Sequence, residues 1–79
     1  LTRVARIVLH ALEEQGPAKP ETLSAKIGLK LRSVRYGLKM LSDLELITKY
    51  PDLQDLRSFY YAPKSMDVAS INQVYLVEA

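Results

Sequence analysis

The sequence predicts a small, mostly helical α+β domain: three helices, then a β-hairpin, then an extension for which a third-period pattern favours a further helix. Three observations carry this reading. Apolar residues recur at helical spacing over three successive stretches up to about Leu44, and glycine or proline punctuates the junctions between them. After Ile47 the pattern changes to β-prone runs rich in β-branched and aromatic residues.

In "TRVARIVLHALEEQ", residues 2–15, the side chains of Val4, Ile7, Val8, Ala11 and Leu12 form one stripe, and Gly16-Pro17 stops it as a helix end should. "PAKPETLSAKIG" follows. Pro20 suits a first helical position, where a missing N–H costs nothing, Glu21 suits the positive end of the helix dipole, and Leu23 and Ile27 make a short buried stripe before Gly28. That is a second helix of two turns. Leu29 and Lys30 make a brief turn, and Leu31, Val34, Leu38 and Leu41 begin a third helix that runs to about Leu44.

"ITKY" and "SFYYAP" then read as the strands of a hairpin, joined by "PDLQDLR" with turn chemistry in Pro51-Asp52. In "KSMDVASINQVYLVEA", Val68, Ile71, Val74 and Tyr75 fit a helix while "VYLV" alone fits a strand; a helix capped by Ser65 or Asp67 is the favoured reading. The expected organisation is one domain over residues 1–63 and a C-terminal extension over 64–79. The chain opens on Leu1 and not Met, which is compatible with a piece of a longer protein.

Seventy-nine residues bury a small core, so stability is expected to be modest. About half of them, 48%, are apolar and 25% charged, a globular composition. Without cysteine there is no disulfide framework, thiolate nucleophile or cysteine-based zinc site. Apolar runs fall short of the ~20 residues of a membrane span, and no signal-peptide pattern is present, so the expectation is a soluble, cytoplasmic protein with no membrane association.

The net charge of +2 is small, but it is unevenly spread. Five bases and no acids lie between Lys26 and Lys39, leaving the rest of the chain slightly acidic. At about 100° per residue, Arg32, Arg35, Tyr36 and Lys39 fall within a wedge of roughly 100° on the third helix, opposite Leu31, Val34, Leu38 and Leu41. Arg35 and Lys39 are a like-charge i,i+4 pair and Gly37 is a poor helix former, so helix stability alone does not explain these choices. A face that docks on a polyanion explains them better: Arg forks onto phosphate or guanine edges, and a residue without a side chain admits close backbone approach. A merely solvated charged face is the competing explanation.

A two-turn helix, a turn with Gly28 and this basic helix make a helix-turn-helix unit, completed to a winged helix by the helix before and the hairpin after. "PETLSAKIGLKLRSVRYGLKMLSDLELITKY" resembles the winged helix-turn-helix of small prokaryotic and archaeal transcription regulators of the MarR and ArsR kind, over Leu1 to about Pro63. "GLKLRSVRYGLKML" is also similar to the N-terminal winged helix of the archaeal counterpart of general transcription factor E, a module that works largely through protein contacts at the polymerase and promoter. The first resemblance implies double-stranded DNA as partner, with Lys30, Arg32, Ser33, Arg35, Tyr36 and Lys39 facing the major groove or its flanking phosphates. Lys26 and, from the wing, Arg57 join them as further candidates for phosphate contact. The second implies docking to RNA polymerase or another transcription factor.

The presumed wing tip, Pro51 to Ser58, holds Asp52 and Asp55 against one base, Arg57, so it is expected to be repelled by phosphate unless Arg57 alone reaches the backbone; a hairpin that only covers the core through Leu53 or Leu56 is the competing expectation. An acidic wing favours protein docking; the basic third helix favours DNA.

Enzymatic function finds no support. His10, the single histidine, has no second ligand at metal spacing; Glu13-Glu14 point about 100° apart at a helix end; and the three glycines form no phosphate loop. Tyr60 and Tyr61 alternate across a strand, so at most one is free to stack on a base. No cofactor is expected. Val68, Ile71, Val74, Tyr75 and Leu76 exceed what so short a chain readily covers, and the tail is therefore expected to hold two copies together as a homodimer; packed back on the first helix it would complete a monomer's core instead.

Overall fold

A computed structural model describes residues 1–64. The expected tail helix and its dimer contact lie outside the described residues.

Helix α1 spans Arg3–Gln15. Thr2 caps it, its hydroxyl accepting the Ala5 N–H at 3.1 Å, and Gly16 ends it at φ 86° with its N–H on the Leu12 carbonyl. Helix α2, Pro20–Ile27, starts with Pro20 in its first turn and closes on Gly28, left-handed at φ 70°. The Ser24 hydroxyl donates to the Leu29 carbonyl at 2.6 Å, which ties the turn between α2 and the next helix.

Helix α3 spans Leu31–Asp43. It leaves through Glu45 at φ 59°, with Leu46 N–H on the Leu41 carbonyl and Glu45 N–H on the Ser42 carbonyl. This paired closure satisfies the last carbonyls of the helix, here without the glycine that usually occupies the left-handed position.

Strands β1, Ile47–Asp52, and β2, Asp55–Pro63, pair antiparallel, from Ile47 opposite Pro63 to Pro51 opposite Phe59, with an irregularity before Asp52 meets Asp55. The strands are longer than the sequence suggested. Pro51-Asp52 belongs to β1, and the turn shrinks to Leu53 and Gln54. Proline is tolerated there because β1 is an edge strand. On the other side of β2, Ala18 exchanges two backbone hydrogen bonds with Tyr61, at 3.0 and 2.9 Å, so the α1–α2 loop is stitched to the hairpin.

Three helices followed by this hairpin make a mostly helical α+β domain with winged-helix architecture. Its core gathers Ala5, Val8, Ala11 and Leu12 of α1, Leu23 of α2, Val34, Leu38 and Leu41 of α3, and Ile47 of β1.

Two expectations are corrected. Leu53 and Leu56 are 59% and 69% exposed, so neither covers the core; Ile47, Tyr61 and Ala62 do so from the base of the hairpin. Gly37 is buried, and a Cβ there would stand 3.2 Å from Val8 Cγ2 and 3.3 Å from Val4 Cγ1. Its missing side chain therefore serves the close crossing of α3 over α1 and not an approach to a ligand.

Candidate nucleic-acid interface

Burying Val34, Leu38 and Leu41 turns the opposite face of α3 outward, and Arg32, Arg35, Tyr36 and Lys39 are all exposed there. Lys30 is the exposed N-cap residue of the helix, and Ser33 is half-buried in its first turn. Tyr36 sits beside an apolar depression with Leu1, Met40 and Leu44. Lys26, on the last turn of α2, lines a groove with Arg6, His10 and Glu14 of α1 and is not among the residues that border α3 and the hairpin.

The like-charge pair is relieved by neighbours. Arg35 Nη2 lies 3.7 Å from Glu21 Oε1, and Lys39 Nζ lies 3.5 Å from Asp43 Oδ2. Both pairs are exposed, and ion pairs in such surroundings contribute little, so they would cost little to separate.

Between α3 and the hairpin runs a cleft of about 540 Å³. Arg35 and Lys39 border it from the helix, Lys49 and Arg57 from the hairpin, with Leu38, Phe59 and Tyr61 also lining it. Arg57 thus joins the helix residues around one cavity. Lys49 was not singled out from sequence, although strand alternation carried the signal: it shares a parity with its cross-strand partner Tyr61 and with Phe59 and Arg57.

The acidic wing tip is also corrected. Asp52 is buried and takes Lys19 Nζ at 2.7 Å on one oxygen and the Gln54 N–H at 2.9 Å on the other. The Lys19 ammonium stands in addition 5.3 Å from the centroid of the Tyr60 ring. Asp55 accepts the Arg57 N–H and Nε–H, both at 3.2 Å, and the Ser58 hydroxyl at 3.3 Å. Both carboxylates are employed in shaping the hairpin, and the guanidinium of Arg57 projects with its side chain 92% exposed.

These contacts move the protonation equilibria. The Lys19 hydrogen bond, then the Gln54 N–H, hold the Asp52 carboxyl below its ordinary 3.8. The backbone N–H of Arg57, then its guanidinium, do the same for Asp55. Lys19 is raised above 10.5, chiefly by its hydrogen bond to Asp52. A carboxyl that titrates lower in the folded chain contributes stability above its unfolded value that is lost as pH falls through the folded one; the raised lysine contributes below 10.5 and loses it as pH rises. Lys19→Met is therefore expected to lower Tm at neutral pH and to flatten its fall as pH drops from about 5 through the lowered folded-state value of Asp52. Parallel acid profiles for the two chains would show that the pair contributes nothing.

His10 Nε2 lies 2.6 Å from Glu14 Oε1 on the exposed face of α1. Among the described residues no group of three or more His, Cys, Asp and Glu is placed to hold a metal ion, and no helix is long and apolar enough to cross a membrane.

No protein-family model matches the sequence, and neither does any curated protein. Solved structures do match. A MarR family transcription regulator superposes with a TM-score of 0.78 at 22% identity, over 99% of this chain and 52% of its own. BpsR of Bordetella bronchiseptica, whose DNA binding is regulated by 6-hydroxynicotinic acid, gives 0.76 at 23% identity over 99% of this chain and 56% of its own. ZitR of Lactococcus lactis, a zinc-responsive MarR family member, gives 0.73 at 20% identity over 82% and 44%. The chain thus spans about half the length of the structures it matches. At these identities the likeness establishes the fold alone, a winged helix-turn-helix shared with these structures.

Proposed function

We propose that the chain is the DNA-binding part of a transcription regulator, with α3 in the major groove of double-stranded DNA. The observation that carries this is the outer face of α3, where Arg32, Arg35 and Lys39 stand exposed over a helix whose other side is sealed in the core. Arg32 and Arg35 reach base or phosphate edges, Ser33 and Tyr36 make shorter polar contacts, and Lys30, Lys39 and Lys26 meet phosphates. Regulated DNA binding in the matching BpsR supports the same reading. No step in it requires a cofactor or a catalytic group, and a role on DNA fits a prokaryotic cytoplasm.

Docking to RNA polymerase or another transcription factor draws its case from an acidic wing and an apolar tail. With Asp52 on Lys19 and Asp55 on Arg57 the wing supports it less, and the tail lies outside the described residues.

The test compares two alanine variants on a fluorescent duplex, with folding verified by melting. Arg35→Ala is expected to weaken binding by about 1–3 kcal/mol, the worth of a bidentate contact, and Arg57→Ala by clearly less, because Arg57 is held by the adjacent Asp55 at 3.2 Å. Equal losses would put the wing on a par with the helix and count against the assignment.

A homodimer belongs to this reading. One recognition helix makes few contacts, whereas a two-fold pair reads half-sites about 34 Å apart. Light scattering is expected to give a dimer for residues 1–79 and a monomer once 66–79 are deleted. A monomeric full chain at tens of micromolar would end the dimer idea, and a dimeric truncation would move the interface elsewhere.

A further inference from the structure

The four cations around the cleft between α3 and the hairpin are not equivalent. Arg35, Lys39 and Arg57 each have a carboxylate nearby, from Glu21, Asp43 and Asp55 respectively. Among the described residues no carboxylate lies within 4.0 Å of the Lys49 ammonium, which stands instead 4.0 Å from the centroid of the Phe59 ring. An aromatic face attracts a cation through its quadrupole but carries no net charge. A carboxylate would hold the lysine and cancel it; the ring holds it and leaves its charge intact. An anion entering the cleft thus meets at Lys49 a positioned cation that it need not detach from a competitor.

The register supplies the rest of the geometry. Lys49 opposes Tyr61 and Pro51 opposes Phe59, so the lysine and the ring that supports it lie diagonally on one face of the hairpin, and both line the cleft whose other wall carries Arg35 and Lys39.

We propose that Lys49 is a DNA phosphate contact: the cleft seats a stretch of sugar–phosphate backbone between Arg35 and Lys39 on the helix wall and Lys49 on the hairpin wall, with Phe59 as the positioning residue for Lys49. This rests on the reading of α3 as a major-groove helix and adds a second wall that the reading does not require. A phosphate contact carries no base information, so its loss weakens every duplex alike and removes one released counterion.

The experiment measures affinity against salt for three unrelated duplexes, with the native chain, Lys49→Met, Phe59→Leu and Arg32→Ala, all checked by thermal melting. Lys49→Met keeps the stem and removes the charge. It should cut the magnitude of the log–log salt slope by about 0.9 and cost roughly eightfold in affinity at about 0.1 M salt, equally on all three duplexes. Lys49→Arg should restore the slope. Phe59→Leu should weaken binding by a smaller factor with the slope unchanged, because the charge remains and only its placement is lost; native affinity in that variant would overturn the positioning role. A Lys49→Met chain that binds like the native one while Arg32→Ala is impaired overturns the seat and leaves the α3 reading standing. Impairment by Lys49→Met without any effect of Arg32→Ala overturns the α3 reading and, with it, the seat that rests on it. No binding by the native chain overturns both.

Discussion

Leu38→Ala is expected to lower the free energy of unfolding by about 2–5 kcal/mol, the range for truncating a leucine in a core that cannot collapse around the gap. Leu38 is 2% exposed and shares one cluster with Val8 and Leu12 of α1 and Val34 and Leu41 of its own helix. The neighbouring turn cannot close the void easily, because α3 already crosses α1 so closely at Gly37 that a Cβ there would stand 3.5 Å from Ala5 Cα. At roughly 0.05–0.15 kcal/mol per residue a domain of this size has a reserve of about 4–12 kcal/mol, so the loss takes a large share of it. Urea or thermal unfolding reads the effect, with Leu56→Ala as the control: Leu56 is 69% exposed, and its truncation should leave the melt nearly where it was. An unchanged melt for Leu38→Ala would mean that the buried face of α3 has been assigned the wrong way round.

The helices were readable because their signals are local. Gly16, Pro20 and Gly28 mark ends that depend on backbone conformation within a turn or two, and the structure places all three at those ends. The face of α3 was readable for the same reason, since Val34, Leu38 and Leu41 are spaced for one side of one helix and all three are buried. The meaning of Gly37 was not: a glycine needed for a helix crossing and one kept free for a ligand look identical until the neighbouring helix is in place.

Charge in the hairpin failed for a related reason. Asp52 meets Lys19, which is remote in sequence and follows the Ala18 that pairs with Tyr61, so the contact is invisible to any local window. Counting Asp52 and Asp55 as free surface charge therefore gave the wing the wrong character. Lys49 is the opposite case. Its strand parity was in the sequence, but a lone lysine in a β-prone run has no special standing until α3 supplies the second wall of the cleft.

The central claim is that the exposed face of α3 and the cleft beside it are built for the phosphates of duplex DNA. Each phosphate neutralised releases counterions and adds about 0.9 to the slope of log affinity against log salt. Four to six contacts per subunit then imply a slope of about −3.6 to −5.4 and a loss of roughly 10²- to 10³-fold between about 50 and 200 mM salt. The direct measurement is a salt titration of the 79-residue chain against a mixed-sequence duplex by fluorescence anisotropy. Tight binding at low salt with that steep decline is the predicted result; affinity that stays flat across the range, or no binding at low salt, would contradict it.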